Sequence, residues 1–365
     1  MKLFKCQVCD QTVFFENSRC EQCSNTLGYL PATGQMLTIT GDGTIFQPVR
    51  GRKMRLRACA NATNGACNWL IPAKSNDLFC TACRHNHTIP DLAIGNHLAL
   101  WQQVEAARHR LIYTLLALGV PLFTRAEDPE HGLAFDVLAD PPAPGPRILT
   151  GHENGLITIN LAEADSAQRE QARTIMGEPY RTLLGHFRHE SGHYAWDVLL
   201  RDPDRLAAAR ALFGDDTQDY AAALARHYEQ GPSPDWRNAY ISAYATAHPW
   251  EDFAETWAHY LHIVDTLETA SAFGLRIHPT STKNRTLHAD IDFDPHHAPS
   301  IHRLIAAWLP LTFAINSLNR SLGQPDSYPF VVSNPVIEKL GFIHDLLKRK
   351  NTEPARATSS PELVI

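Results

Sequence analysis

Cysteine is missing from the last 282 of the 365 residues; all eight lie between Cys6 and Cys83. Long apolar runs are missing too. The longest, at 111–123 (LIYTLLALGVPLF), contains Pro121 and falls short of the roughly 20 residues that span a bilayer. No secretory signal is legible in MKLFKCQVCDQTVFF, where cysteine and aspartate interrupt a short apolar patch. Without an export signal a disulfide framework has no oxidising compartment in which to form. These absences lead us to expect a soluble, cytoplasmic protein with no membrane partner. Acidic residues are scarce in one region only: residues 1–90 hold ten Lys and Arg against five Asp and Glu, a net of +5. The rest holds 23 against 34, a net of −11. The chain is long enough for two domains with a sizeable core, so it needs no metal to fold as a whole. The cysteines therefore need a local reason.

Their spacing supplies one. Cys6-x2-Cys9 and Cys20-x2-Cys23 are two close pairs ten residues apart, the spacing of two knuckles folding over one zinc ion. Four thiolates close the coordination shell, which makes the site structural. Cys59, Cys67, Cys80 and Cys83 form a second, looser set that leaves no cysteine unused; a C-x-x-C redox pair or buried thiols are the alternatives. Between the sets, the alternating run 36–45 (MLTITGDGTI) reads as two strands around a Gly41-Asp42-Gly43 turn. Arg50, Arg52, Lys53, Arg55 and Arg57 make a basic run able to meet a nucleic-acid or protein partner, although such runs are more often solvated strand faces.

After residue 90 the pattern becomes helical, which sets a domain boundary at 90–95 and an α+β chain: residues 1–90 as two β-rich zinc ribbons, 91–347 as a mainly helical domain with a short sheet, and 348–365 as a flexible tail. Residues 97–118 read as an amphipathic helix, 140–151 as a loop, 156–161 (LITINL) as a half-buried strand, 179–200 as a helix and 249–267 as another.

The helix at 179–200 contains His189-Glu190-Ser191-Gly192-His193. Histidines at i and i+4 share a helix face and can bind one zinc ion beside the intervening glutamate, although the motif also arises by chance. Gly192 is costly in a helix and marks a close approach of backbone or substrate. A catalytic zinc also needs a third ligand. Glu251, near the start of the next strong helix, can supply it, with Glu255 one turn on accepting a hydrogen bond from His189 or His193. Tyr244, seven residues before Glu251, can reach an oxyanion or can be a core residue like Tyr240. His186 could compete as a ligand, and Glu255 with His259 could be a plain surface pair.

His189–His193 followed by Glu251-x3-Glu255 resembles the gluzincin metallopeptidases, and the tract from Tyr244 to Glu255 is similar to the zincin domain of anthrax lethal factor. There the tyrosine matching Tyr244 assists catalysis and the glutamate matching Glu251 binds zinc. More closely, the chain resembles the bacterial family called "putative zinc-binding metallopeptidases", which carry an N-terminal zinc ribbon. The match lies in CTACRHNHTIPDL from Cys80, GLITINLAEAD from Gly155, HFRHESGHYAWD from His186, HPWEDFAETWAHYLHI from His248 and QPDSYPFVVSNPVIEKL from Gln324. The N-E-x-x-S-D tract of the commonest gluzincins is absent; Trp250 and Glu255 stand in place of its Asn and Asp.

The resemblance implies a zinc peptidase acting on a peptide or protein, with one catalytic zinc besides two structural ones. Glu190 activates the zinc-bound water, and 156–161 is the edge strand that takes extended substrate. A ribbon-based binding protein with a silent zincin domain, or a zinc hydrolase of a non-peptide amide, would share the same residues. Glu163, Asp165, Ser317, Asn319 and Arg320 have no assigned role.

Overall fold

The computed structural model describes residues 2–141, 145, 147–166, 169, 182–281 and 285–352. The chain is α+β, with a β-rich N-terminal part followed by a mainly helical one. β1 (Phe4–Lys5) and β2 (Thr12–Val13) pair antiparallel around the first cysteine knuckle. β3 (Thr26–Leu30), β4 (Gln35–Gly41), β5 (Phe46–Pro48), β6 (Leu56–Ala58) and β7 (Leu70–Pro72) follow as an antiparallel meander in that order. The expected turn joins β4 to β5, and Asp42 Oδ1 accepts from the N–H groups of Thr44 and Ile45 at 2.8 Å each. Of the basic run, Arg57 is consumed internally, donating to the carbonyls of Ser75 and Asp77 at 2.8 and 2.9 Å, whereas Arg50, Arg52, Lys53 and Arg55 are exposed.

β8 (Asn86–Thr88) leaves the ribbon region and joins the second sheet. α1 (His97–Ala117) leads to β9 (Ala134–Leu138), β10 (Gly151–Glu153) and β11 (Leu156–Asn160), and the sheet order is β10-β11-β9-β8. β8, β9 and β11 run parallel, and β10 is antiparallel. Asn154 and Gly155, both in the left-handed region at φ 48° and 82°, make the two-residue turn from β10 to β11. This corrects the expectation for 156–161: β11 lies inside the sheet, whose edge strands are β10 and β8.

The helices that follow are α2 (Leu183–Leu199), α3 (Pro203–Phe213), α4 (Tyr220–Gln230), α5 (Pro249–Ala272), α6 (Ile301–Ser321) and α7 (Asn334–Thr352), with a two-stranded ribbon of β12 (Arg276–Ile277) and β13 (Ala289–Asp290) before α6. The expected start of α2 near 179 and the tail beyond 352 lie outside the described residues. α5 outruns its expected end by five residues. α1 is the helix expected at 97–118, and it buries polar side chains as well as apolar ones. Glu105, Arg108, His109 and Thr114 are buried along with Trp101, Val104 and Leu111. The Glu105–Arg108 pair, 2.5 Å apart with neither side chain exposed, makes that burial tolerable.

One apolar cluster runs from Cys6 to Leu347, so both parts share a core. At the seam, Phe15 and Tyr29 of the ribbon meet Tyr113 of α1 with ring centres 5.2 and 6.0 Å away. Polar ties fix α1, α2 and α5 together: Asp265 accepts from Arg188 at 2.5 Å and from Thr114 at 2.6 Å, and Tyr113 donates to Glu268 at 2.6 Å. α6 is the one helix among the described residues long and apolar enough to cross a membrane, but Leu304, Ile305, Trp308 and Leu311 turn one face into the core. At its far end Arg320 grips Asp326 through two bonds of 2.6 Å, and Asn319 donates to the Pro325 carbonyl at 3.1 Å. These two residues staple the loop after α6, and Ser317 bonds the Phe313 carbonyl of its own helix at 2.7 Å.

Candidate metal centre

The site forms where α2 crosses α5. Thr182 caps α2, its hydroxyl accepting the Gly185 N–H at 2.9 Å. His248 caps α5 through Trp250 N–H at 3.1 Å, and Pro249 suits the first turn. Glu251 is thereby held in the first turn of α5, where the helix dipole favours a carboxylate.

One oxygen of Glu251, Oε2, lies 3.0 Å from His189 Nε2 and 3.6 Å from His193 Nε2. Donors 2.0–2.2 Å from a tetrahedral zinc stand about 3.4 Å apart, between those two distances. Glu251 is 1% exposed, yet Oε2 has no hydrogen-bond partner. A buried carboxylate oxygen that makes no hydrogen bond and faces two imidazole nitrogens is stabilised by a cation held between the three. The donor set therefore fits zinc. Glu190 is buried beside it, close enough to His189 and His193 to belong to the same potential metal cluster.

The neighbours orient these groups. His189 Nδ1 donates to Glu255 Oε1 at 2.7 Å, the arrangement that fixes a ligating imidazole with Nε2 turned to the metal. His193 lacks such a partner: its Nδ1 is buried without a hydrogen bond, and its ring packs 3.9 Å from Trp250. The second oxygen of Glu251, Oε1, accepts from Tyr220 at 2.5 Å. Tyr244 lies in a 3-10 turn just before α5, its ring 5.9 Å from that of His189.

The electrostatics agree with a site built around a cation. Burial opposes a charged His189, but Glu251 and Glu255 more than offset it and hold its pKa well above the ordinary value. Glu251 is held well below the usual carboxylate range by the two histidines, although burial pushes the other way. Burial raises Glu190, with His189 and His193 opposing. Burial, and then the Glu251 charge, raise Tyr244, which keeps it a neutral phenol.

Thus His189, Glu190, His193, Glu251, Glu255 and Tyr244 all gather at one place. His186 faces Glu163 instead, at 3.5 Å. Glu255 and His259 are not a surface pair: His259 is 1% exposed and bonded to the Tyr328 hydroxyl at 2.7 Å. Tyr240 and Tyr244 share no α-helix, and Tyr240 lies under the Lys339 ammonium, 4.3 Å from its ring centre. Sequence reasoning missed Tyr220, the stacking role of Trp250, and His152 of β10, whose ring lies 5.7 Å from that of His193. Tyr220 stands 31 residues from Glu251 with no motif to mark it.

The cysteines gather in fours. Cys6 and Cys23 sulfurs are 3.5 Å apart, Cys9 and Cys20 3.6 Å, and Cys67 and Cys80 3.7 Å, near the roughly 3.8 Å edge of a zinc tetrathiolate. All eight are free of disulfides. The sets differ in setting. Cys9 and Cys23 are partly exposed, whereas Cys83 is buried against α1 and contacts His109 Nε2 at 3.5 Å and Arg108 Nη2 at 3.6 Å.

Comparison with known proteins gives two matches along the chain. Residues 97–346 match the model of a family described as "Putative zinc-binding metallo-peptidase", and residues 3–94 match a zinc-ribbon domain. β8, inside the ribbon match, nonetheless completes the sheet of the second part. Among curated proteins, uncharacterised proteins of Mycobacterium tuberculosis and Mycobacterium bovis are each 41% identical over 362 residues, covering 98% of this chain and 99% of theirs. No solved structure matches the chain significantly.

Proposed function

Because the chain belongs to this zinc-binding metallopeptidase family and carries an N-terminal zinc-ribbon domain, we propose that it hydrolyses peptide bonds at a gluzincin-type centre made of His189, His193 and Glu251. The observation that carries the reading is Glu251 Oε2, buried, without a hydrogen bond, and 3.0 and 3.6 Å from the two Nε2 atoms. Held there, a zinc ion would acidify a water in its open position and polarise the scissile carbonyl. Glu190 of the HExxH motif takes the proton the attacking water loses and returns it to the leaving amine; a pKa raised by burial suits the return leg. Tyr244 donates to the developing oxyanion. Glu255 keeps His189 in the tautomer that turns Nε2 inward.

The substrate is an extended peptide or protein segment that adds to β10. In the hairpin, Glu153 and Leu156 flank a two-residue turn and form a hydrogen-bonded pair, so His152, opposite Ile157, is in a non-hydrogen-bonded pair. Its backbone N–H and C=O therefore point away from β11, toward an incoming strand. Two further zinc ions in the cysteine sets are structural, giving three per chain, and eight reduced cysteines suit the cytoplasm. The exposed basic tip at Arg50, Arg52, Lys53 and Arg55 is where an anionic nucleic-acid or protein partner would dock.

The test is proteome-wide cleavage profiling of wild type against Glu190→Gln. The variant should keep three zinc ions and lose about 10²–10⁴-fold in kcat with KM little changed. Cleavage at the wild-type rate would overturn the general base. Only two zinc ions in the wild type, unaltered by His193→Ala, would overturn the catalytic metal and favour a ribbon-based binding protein.

A further inference from the structure

Glu251 must point one particular oxygen at the two imidazoles, and nothing in α5 itself dictates which. We propose that Tyr220 is the positioning residue that makes this choice and so sets the affinity of the catalytic zinc site; the inference rests on Glu251 being the third ligand. The Tyr220 hydroxyl donates to Glu251 Oε1 at 2.5 Å. That bond occupies one carboxylate oxygen and leaves Oε2, without a hydrogen bond, facing His189 and His193. With both oxygens fixed, Glu251 binds as a monodentate ligand. Without the phenol, its carboxyl group could rotate, or take the metal through both oxygens and claim the position that water needs.

The hydroxyl is itself held in place. Tyr220 is the first residue of α4, and Asp219 caps that helix by accepting the Ala222 N–H at 3.0 Å. His248 accepts the Trp250 N–H at Nδ1, so its Nε2 carries the proton and donates to the Gln218 carbonyl at 3.2 Å. One histidine thus caps α5 and fastens the residues just before α4 to it. The Tyr220 ring lies 5.3 Å from His248 and 5.7 Å from Trp250, and Trp250 in turn packs on His193. Tyr220 is 38% exposed as a residue, so it contributes little to the core and its hydroxyl is the part that matters. The device is a clamp between two helix N-termini, one bearing the ligand and the other the group that orients it.

The experiment is a chelator titration of Tyr220→Phe in the full chain, counting zinc released and using the ribbon zinc ions as internal reference. Removal of a hydrogen-bond partner behind a ligand costs about 10–100-fold in metal affinity. The third zinc should therefore leave at about 10-fold or more lower chelator concentration, with the ribbon zinc ions and melting temperature of the chelated protein unchanged. Asp219→Ala loosens α4 but keeps the hydroxyl; it should lower the melting temperature with a smaller change in zinc affinity. Equal zinc affinity in Tyr220→Phe and wild type overturns the positioning role, as does a loss matched by Asp219→Ala. Glu251→Ala separates the two levels: if it retains the third zinc, the ligand assignment itself is wrong. If it loses that zinc while Tyr220→Phe keeps wild-type affinity, only the role of Tyr220 falls.

Discussion

A β-carbon on Gly192 would stand 2.7 Å from Cα of Ala254 and 3.2 Å from its carbonyl oxygen. The glycine between Glu190 and His193 is where the helix bearing the histidines touches the backbone of the helix bearing Glu251 and Glu255. Beside it, Ser191 accepts the Trp257 indole N–H at 3.1 Å. The metal-centre distances follow from how closely these two helices approach.

Gly192→Ala should therefore act against its own helix propensity. Alanine gains about 1 kcal/mol in an isolated helix, but overpacking a tight crossing costs about 1–3 kcal/mol and separates the two halves of the site. We expect a lower melting temperature together with easier extraction of the zinc proposed at His189, His193 and Glu251, read by calorimetry and zinc counting. A variant at least as stable as wild type that keeps its third zinc would show that the crossing can relax.

The two cysteine sets should fail differently. Cys83→Ser removes a thiolate contacted by Arg108 and His109 of α1, both buried. Arg108 keeps Glu105 as its partner, so the loss falls on the packing of the second cysteine set against α1. Cys9→Ser opens a partly exposed knuckle. Denaturant titration should show a large loss for Cys83→Ser, with loosened peptidase structure, and a smaller one for Cys9→Ser. Equal losses would mean that the second set does not anchor α1.

Acid should destabilise the fold through His259. Burial holds its pKa down to about 4, below the roughly 6.5 of an unfolded histidine. A base depressed on folding contributes stability that is present above pH 6.5 and lost as pH falls through 4. The loss is at most about 3 kcal/mol. His259→Gln retains a partner for Tyr328 but does not titrate. Denaturation at pH 7 and pH 4.5 should show a smaller acid loss in the variant, and equal losses would discard this account.

Local pattern carried much of this protein into its sequence. The first cysteine set was readable because two C-x-x-C turns each place two thiolates within reach of one ion. The α2 histidines were readable because i and i+4 share a helix face. Even Glu251 and Glu255 could be named, from their spacing and from a resemblance. The resemblance also led astray: it implied that 156–161 is an edge strand, but strand order depends on which neighbours pair with it, and β10 lies outside it. α1 was readable as a helix, but the pairing of Glu105 with Arg108 inside the core was not, because only the packed fold buries both.

By itself the sequence determined the two cysteine sets, the HExxH pattern, the two-part chain and the helices that carry them, because these depend on residues a few positions apart. The tertiary structure alone decided what Gly192 is for, which Glu251 oxygen faces the histidines, and that Tyr220 stands behind it. Those relations join residues 31 to 62 positions apart. They are fixed by helix crossing and burial, for which a linear pattern has no period.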